Sequence, residues 1–404
     1  MKAIINGRLL LPNMEGDFRV MDEMAVLYDE HIERIIDMDE VEAEAGIDEV
    51  HDAHGLFVAP GFINVHVHGA CGWDVMDEAP EALPAISRFL ARTGVASWLP
   101  TTMTASEEQV HDAFERVRSA MQDAPEGARI LGAHMEGPFI SATHRGAQAK
   151  EQIVRADYGW VASYEDVVRI VTLAPEELEG NYTFIDRCRD AGIIVSIGHS
   201  GADYGTALEV IEGHGVTHIT HIFNAMSGLH QRHPGVVGAA LDTAANCELI
   251  ADDVHVDPAA QRILYHAKEG RHIILVTDSM RAAGFGDGTS ELGGQQVTVR
   301  GARAELVDGT LAGSVLAMND AVRNFARNTR APIERVVEMV TRTPAEELGI
   351  YEETGSLEEE KRADLTLFDE DLHIAATIVG GRLAYIAHPD ALEGGWKKQG
   401  QENT

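Results

Sequence analysis

The chain has 404 residues, 45% hydrophobic and 24% charged, and its 32 basic against 66 acidic side chains give a formal net charge of −34. That length exceeds one small core and suits a catalytic domain of roughly 250 to 300 residues plus a smaller accessory unit. The charge excludes a nucleic-acid partner, which it would repel, and no stretch of about 18 uncharged apolar residues offers a membrane span.

Residues 2 to 58 hold short β-like runs, AIINGRLLL, EMAVLYDEHIERIID and GLFVAP, separated by acidic turns. The C-terminal run ADLTLFDEDLHIAATIVGGRLAYIA has the same character. The two ends are therefore expected to form one small β-sandwich from residues 1–58 and 351–390, followed by a tail over 391–404. Between them, residues 59–350 alternate short buried runs with amphipathic helices. Predicted strands are FINVHVHG, ASWLPTT, ARILGAHMEG, VVRIVTLAP, IIVSIGHS, VTHITHIFNA, CELIAD and HIILVTD. Predicted helices are EALPAISRFLARTG, SEEQVHDAFERVRSAMQ, YTFIDRCRDAG, YGTALEVIEGHG, DPAAQRILYHAKEG and SVLAMNDAVRNFARNT. About eight such alternations predict a parallel (β/α)8 barrel of the TIM type, in which polar residues at the C-terminal strand ends build the active site.

The strand ends follow that rule. FINVHVHG ends in His66 and His68, whose spacing of two puts both on one face. The next polar endings are Glu136, His199, His221, the run out to His255, and Asp278. One such histidine alone is more often a hydrogen-bonded loop residue than a ligand; six runs all finishing in His, Glu or Asp at one rim are not explained that way. His134 can share the face of Glu136 and is read as a supporting residue. His218, three before His221, points off the cluster in a strand and is assigned a structural role.

A glutamate with two histidines is a ligand set for Zn2+ or another divalent ion, and such an ion acidifies water toward neutral pH. Asp278 is then placed to take the water proton and pass it to the leaving group, which is hydrolysis at a carbonyl carbon. His66 and His68 either hold a second ion or hydrogen-bond around a single one. Cys71, Cys188 and Cys247 are scattered, odd in number and without CxxC spacing, against a disulfide framework or a structural zinc ribbon. Cys71 reads as a small buried residue.

The N-terminus MKAIINGRLLLPNMEGDF lacks a signal-peptide layout, so the expectation is a cytoplasmic enzyme. Lysine is confined to positions 2, 150, 268, 361, 397 and 398. So acidic a surface suits concentrated salt and equally an ordinary acidic protein. It repels a phosphate-bearing substrate at long range, so an anion site has to be built locally from arginine, histidine and backbone N–H groups, which singles out Arg232 in the polar stretch VTHITHIFNAMSGLHQRHPGVVG.

GFINVHVHG, EGPF, SIGHS, THIFNAM, ADDVHVD, VTDSM and TLAGS, in this order and spacing, resemble the N-acetylglucosamine-6-phosphate deacetylases of the amidohydrolase superfamily over nearly the whole chain. The resemblance implies that Glu136, His199 and His221 hold the catalytic metal and that Asp278 is the acid/base. It implies one or two divalent ions per subunit, Zn2+ foremost, with Fe2+, Co2+ or Mn2+ as alternatives. It implies sugar-phosphate contacts from the loop at Ala147 and Gln148, from Asn224, Ala225, Arg232 and His255, and from Leu311, Ala312 and Gly313. It further implies a homodimer in which Arg232 reaches the neighbouring subunit's substrate. The bland alternative for Arg232 is a surface salt bridge.

Two departures stand out. The position at which some members carry a histidine that polarises the acetamide falls on Gln148, an uncharged donor, with His144 four residues earlier. LEEEKRADL also lacks the glycine that superfamily members often have before the lysine. A dihydroorotase-like enzyme would need a lysine at a strand end, and none is present. An N-acetylgalactosamine-6-phosphate deacetylase would share every motif quoted, and a non-catalytic sugar-phosphate-binding homologue would keep the fold without needing Asp278.

Overall fold

The runs expected as strands are buried over nearly their full length: Phe62–Val67 (β1), Val95–Thr102 (β2), Ala133–Glu136 (β3), Val168–Leu173 (β4), Ile194–Ile197 (β5), His218–Ile219 (β6), Asn246–Ile250 (β7) and Ile273–Val276 (β8). Strands covered on both faces need no alternation of polar and apolar residues, which is the condition of a parallel sheet wrapped by helices. The computed structural model describes residues 1–122, 126–388 and 390–393. In it the eight strands pair in parallel in sequence order. A parallel bridge between Val67 and Ser279 closes the ring into a barrel, helped by the amide of Asn64, which donates to Thr277 Oγ1 at 2.8 Å.

All six predicted helices form. Met318–Thr329 buries Met318, Ala321, Val322, Phe325 and Thr329, a stripe at helical spacing that faces the barrel. Tyr204–His214 starts at Asp203, whose side chain accepts from Thr206 N, and ends at Gly215 in the left-handed conformation. Pro258–Ala267 opens with proline behind an Asp257 cap.

The barrel interior is unusually polar. His134 Nε2 lies 2.7 Å from Thr172 Oγ1, which lies 2.7 Å from Thr220 Oγ1, which in turn is 2.5 Å from Ser196 Oγ. These hydroxyls satisfy one another where a barrel of this type usually stacks branched apolar side chains.

The accessory unit is built from both chain ends, as expected, as one hydrogen-bonded sheet of eight strands. Its order runs Arg382–Ile386, Ile374–Val379, Leu365–Phe368, Phe57–Pro60, Lys2–Pro12, Phe18–Tyr28 and Ile32–Asp37, with Glu49–Asp52 added in parallel to Lys2–Ile5. Phe57–Pro60 pairs antiparallel with Leu365–Phe368, so the strands that enter and leave the barrel are bound to each other. Register shifts at Ile4, Gly7 and Leu9 bend the long first strand, and Ile4, Leu9, Val26, Val58, Leu365 and Ile378 share one core. Asp52 N donates to Leu392 O at 3.0 Å; of the expected tail, residues 394–404 lie outside the described residues.

Three features depart from the sequence reading. Between β8 and Met318 the chain inserts an antiparallel three-stranded sheet, Gly288–Leu292, Gln295–Arg300 and Arg303–Leu306. VTHITHIFNA pairs only over His218–Ile219, because the chain turns before His221, and a helix over Gly235–Asp242 follows. Cys71 is half-exposed rather than buried, since it occupies the left-handed turn (φ 52°) of the Gly69–Asp74 hairpin.

Trp98 on β2 is fully buried, and its indole N–H donates to Ser87 Oγ at 3.0 Å. Trp98→Ala is expected to destabilise the fold by about 3–5 kcal/mol through lost burial and a residual cavity. Denaturant unfolding measures this, and a loss under about 1 kcal/mol would contradict the packing described.

Candidate metal centre and active site

Strand ends deliver the chemistry. His66 is the fifth residue of β1 and His68 lies one past it; Glu136 ends β3; His199, His221 and Asp278 lie two residues past β5, β6 and β8. All six side chains are buried. The structure brings them into one cluster. Nε2 of His199 and Nε2 of His221 are 3.2 Å apart and lie 3.1 and 3.0 Å from Glu136 Oε1. On the other side of the glutamate, His68 Nε2 is 3.1 Å from Oε2 and 3.3 Å from His66 Nε2. Asp278 Oδ1 completes that side at 3.5 Å from His66 Nε2 and 3.4 Å from His68 Nε2.

His199, His221 and Asp278 share one backbone feature. Their φ values are 49°, 29° and 48°, in the left-handed region that non-glycine residues seldom enter. Each strand turns sharply where its functional side chain leaves it, and such strain persists only where the surrounding structure holds it. Before His199, Gly198 lets β4, β5 and β6 close up: a Cβ there would lie 2.6 Å from Thr172 Cγ2 and 2.7 Å from Thr220 Cβ.

The electrostatics follow from burial against pairing. Burial disfavours the Glu136 carboxylate, yet the imidazoles around it, His199 foremost, hold its pKa well below the ordinary range. Burial likewise opposes charge on His221, but the hydrogen bond to Glu136 outweighs it and holds the ring up at about 9. Asp278 is lowered by His66 and His68 against its own desolvation, and those acids raise His68 in return. Deeper in the barrel, burial and then repulsion from His66 push His134 down to about 3, so it acts there as a neutral ring.

Such a cluster fits a divalent cation. Two imidazole nitrogens aimed at each other across 3.2 Å, with a carboxylate oxygen at the same distance from both, are mutually satisfied only by a positive charge between them. Glu136 with His199 and His221, and Glu136 with His66 and His68, each form a set of three buried donors.

A cavity of about 390 Å3 opens over the cluster. Of the residues singled out in the sequence, Ala147, Gln148, Asn224, Ala225, His255, Leu311 and Gly313 line it. Asp252 Oδ2 holds His255 Nδ1 at 2.6 Å, leaving Nε2 as the ring's remaining polar atom. Gln148 donates to Glu136 Oε2 at 2.5 Å and accepts from Thr104 N at 2.8 Å, so its amide supports the glutamate instead of standing free. Ala312 is not part of the lining and packs in the apolar cluster of Met280 and Ala304. Arg232 is exposed on the loop beyond β6, outside the cavity of its own chain.

Sequence reasoning missed two groups. Met103 and Leu292 supply an apolar wall, Leu292 from the inserted sheet, and Gln295 Nε2 ties that sheet to Ala147 O at 2.6 Å. Glu248 in the middle of β7 is fully buried and lies 2.9 Å from His66 Nδ1 and 3.0 Å from His218 Nε2. The signal was present in CELIAD, where an acid inside an otherwise apolar buried strand has to be paired.

The amidohydrolase family model matches residues 57–384. Over 336 residues the chain is 40% identical to the N-acetylglucosamine-6-phosphate deacetylase of Bacillus subtilis (strain 168), covering 81% of this chain and 84% of that protein. It is 38% identical over 333 residues to the N-acetylgalactosamine-6-phosphate deacetylase of Escherichia coli O157:H7, covering 81% and 87%. Its structure matches the crystal structure of N-acetylglucosamine-6-phosphate deacetylase from Pasteurella multocida with a TM-score of 0.88 at 29% identity, covering 95% and 99% of the two chains. With a barrel whose rim gathers glutamate, histidines and aspartate over a cavity, and with relatives this similar across most of its length, the chain belongs to the amidohydrolase family and, within it, to the N-acetylglucosamine-6-phosphate deacetylases.

Proposed function

We propose that the chain hydrolyses the acetamide of N-acetyl-D-glucosamine 6-phosphate to acetate and D-glucosamine 6-phosphate. The observation that carries this reading is the meeting of Glu136, His199, His221 and Asp278 beneath one cavity. Glu136, His199 and His221 would hold one divalent ion, and His66 and His68, sharing Glu136, a second. Borderline nitrogen donors with carboxylate oxygen favour Zn2+, and Fe2+, Co2+ and Mn2+ suit the same set. When bound, the ion acidifies the attacking water and polarises the acetamide carbonyl.

The side chains do the rest. Asp278, ionised and aimed into the cluster, accepts the proton of the water whose oxygen bonds to the acetyl carbon. It returns that proton to the sugar nitrogen as the C–N bond breaks. Gln148 keeps Glu136 in place. His255 Nε2 and the backbone at Asn224, Ala225 and Gly313 are positioned to meet sugar hydroxyls, and the wall of Met103 and Leu292 excludes water from the acetyl side. Arg232 takes the phosphate of a neighbouring subunit's substrate in a homodimer. Supporting this, it is exposed and makes no ion pair among the described residues of a chain with 66 acids, and Leu229 beside it is 60% exposed. No helix of the described residues is long and apolar enough to cross a membrane.

Asp278→Asn is expected to lower kcat for acetate release by about 10²–10⁴-fold. Assays on the gluco and galacto 6-phosphates together measure this and the epimer preference. Equal, slow release by wild type and variant would leave only a binding protein. Arg232→Ala is expected to raise KM for the phosphorylated sugar by about 10- to 100-fold, as for a lost charged hydrogen bond, and to leave the unphosphorylated sugar unaffected. Sedimentation of the wild type reads the dimer; a monomer, or equal effects on both sugars, would refute this role for Arg232.

Ion uptake should also release protons. His221, held at about 9 by its hydrogen bond to Glu136, carries a proton at pH 7.5 in ion-free protein and must lose it to become a donor, and Asp278 and Glu136 shift His68 in the same direction. Apparent affinity therefore rises with pH up to about 9. Calorimetry in buffers of different ionisation enthalpy measures the release, and none at pH 7.5 would contradict the assignment.

A further inference from the structure

The four imidazoles of the cluster are supported from behind in different ways. His68 Nδ1 lies 3.1 Å from Thr101 O, and His199 Nδ1 lies 3.0 Å from His144 O. His221 Nδ1 is buried with no hydrogen-bond partner among the described residues. His66 alone among them has a carboxylate behind it, with Glu248 Oε2 2.9 Å from its Nδ1. The same oxygen accepts the backbone N–H of His221 at 3.1 Å. One fully buried acid, on a strand that carries no ligand, therefore holds the ring of one candidate ligand and the backbone of another.

Glu248 is itself held from below. Its Oε1 takes His218 Nε2 at 3.0 Å, and His218 Nδ1 faces Glu347 Oε1 at 3.3 Å, an ion-pair distance without hydrogen-bond alignment. Thr217 Oγ1 donates to Glu347 Oε1 at 2.7 Å, and the Asn246 amide donates to its other oxygen. Thr217 precedes β6 and Asn246 opens β7, so Glu347 sits at the N-terminal end of the barrel. A file of alternating acid and imidazole thus runs up the barrel interior from Glu347 through His218 and Glu248 to His66.

Resting on the metal-hydrolase reading above, we propose that Glu248 is a positioning residue for the ion position at His66 and His68. It takes the proton on His66 Nδ1, which leaves the Nε2 lone pair facing His68, Glu136 and Asp278. It raises the donor strength of that ring, and with His218 and Glu347 behind it the carboxylate cannot turn away. Carboxylates behind metal-binding histidines commonly change ion affinity by 10- to 100-fold. The effect is largely local: at the Glu136–His199–His221 position Glu248 meets only the backbone N–H of His221 and stands behind neither imidazole ring, so that position depends on it less.

The test is equilibrium dialysis of the full chain against graded Zn2+, with bound metal counted by mass spectrometry and folding followed by circular dichroism. Wild type is expected to take up two equivalents. Glu248→Gln, which keeps the shape and removes the charge, should weaken one equivalent by about 10- to 100-fold and leave the other and the melting temperature near wild type. His218→Gln, which touches no candidate ligand, should weaken the same equivalent by a smaller factor. Two equivalents bound as in wild type by both variants would overturn the role given to Glu248, as would a single equivalent in wild type. If Glu248→Gln does not fold, His218→Gln decides: selective weakening supports the proposal, and unchanged or uniform weakening overturns it. A wild type that takes up no divalent ion would instead overturn the metal-hydrolase reading itself.

Discussion

Glu136 is the point on which the structure turns. A buried carboxylate facing four imidazoles is stable only if every neighbour is placed within a few tenths of an ångström and the total charge is balanced. The barrel supplies the placement. Its strands are closed into a ring by backbone pairing, so residues far apart along the chain meet at one rim in fixed relation. Histidine protons, or divalent ions in their place, supply the balance.

The same demand explains why the interior is polar. Glu248, His134, His218, Thr172, Ser196 and Thr220 are all buried, and each finds a partner within the barrel. An apolar interior would leave the back of the His66 ring and the backbone N–H of His221 without the carboxylate they share. The polar file beneath them converts barrel rigidity into orientation of individual nitrogen atoms. Strain at His199, His221 and Asp278 accompanies this arrangement: the chain bends where each side chain is delivered, and His199 O accepts from Ser141 N, His221 N donates to Glu248, and Asp278 N donates to His66 O.

Surface and site have opposite electrostatic characters. A chain of net charge −34 gathers imidazoles at the cavity floor and sends Arg232 out on a loop beyond it. Long-range fields do not attract a phosphorylated substrate here, so recognition rests on short-range contacts made after encounter. The inserted sheet contributes the apolar side of the cavity through Leu292, tied down by Gln295 at Ala147. The clustered acids and imidazoles therefore stand on rigid strand ends, while the cavity walls stand largely on loops and an insertion.

Much of this was legible in the sequence because burial on both faces leaves a strong mark: unbroken apolar runs between amphipathic helices, six of them ending in His, Glu or Asp, specify a barrel and its rim by local pattern alone. His66, His68, Glu136, His199, His221 and Asp278 were readable for that reason, and so was the pairing of the two chain ends. What the linear order could not supply was which atoms meet. That Gln148 turns to Glu136, that Ala312 faces away from the cavity, and that Glu248 stands behind His66 depend on register and on turns after the strands, which are set by packing between elements distant in sequence. The inserted sheet escaped for a related reason. Its strands are short and half-exposed, and their alternation becomes meaningful only once they have a wall of the cavity to cover.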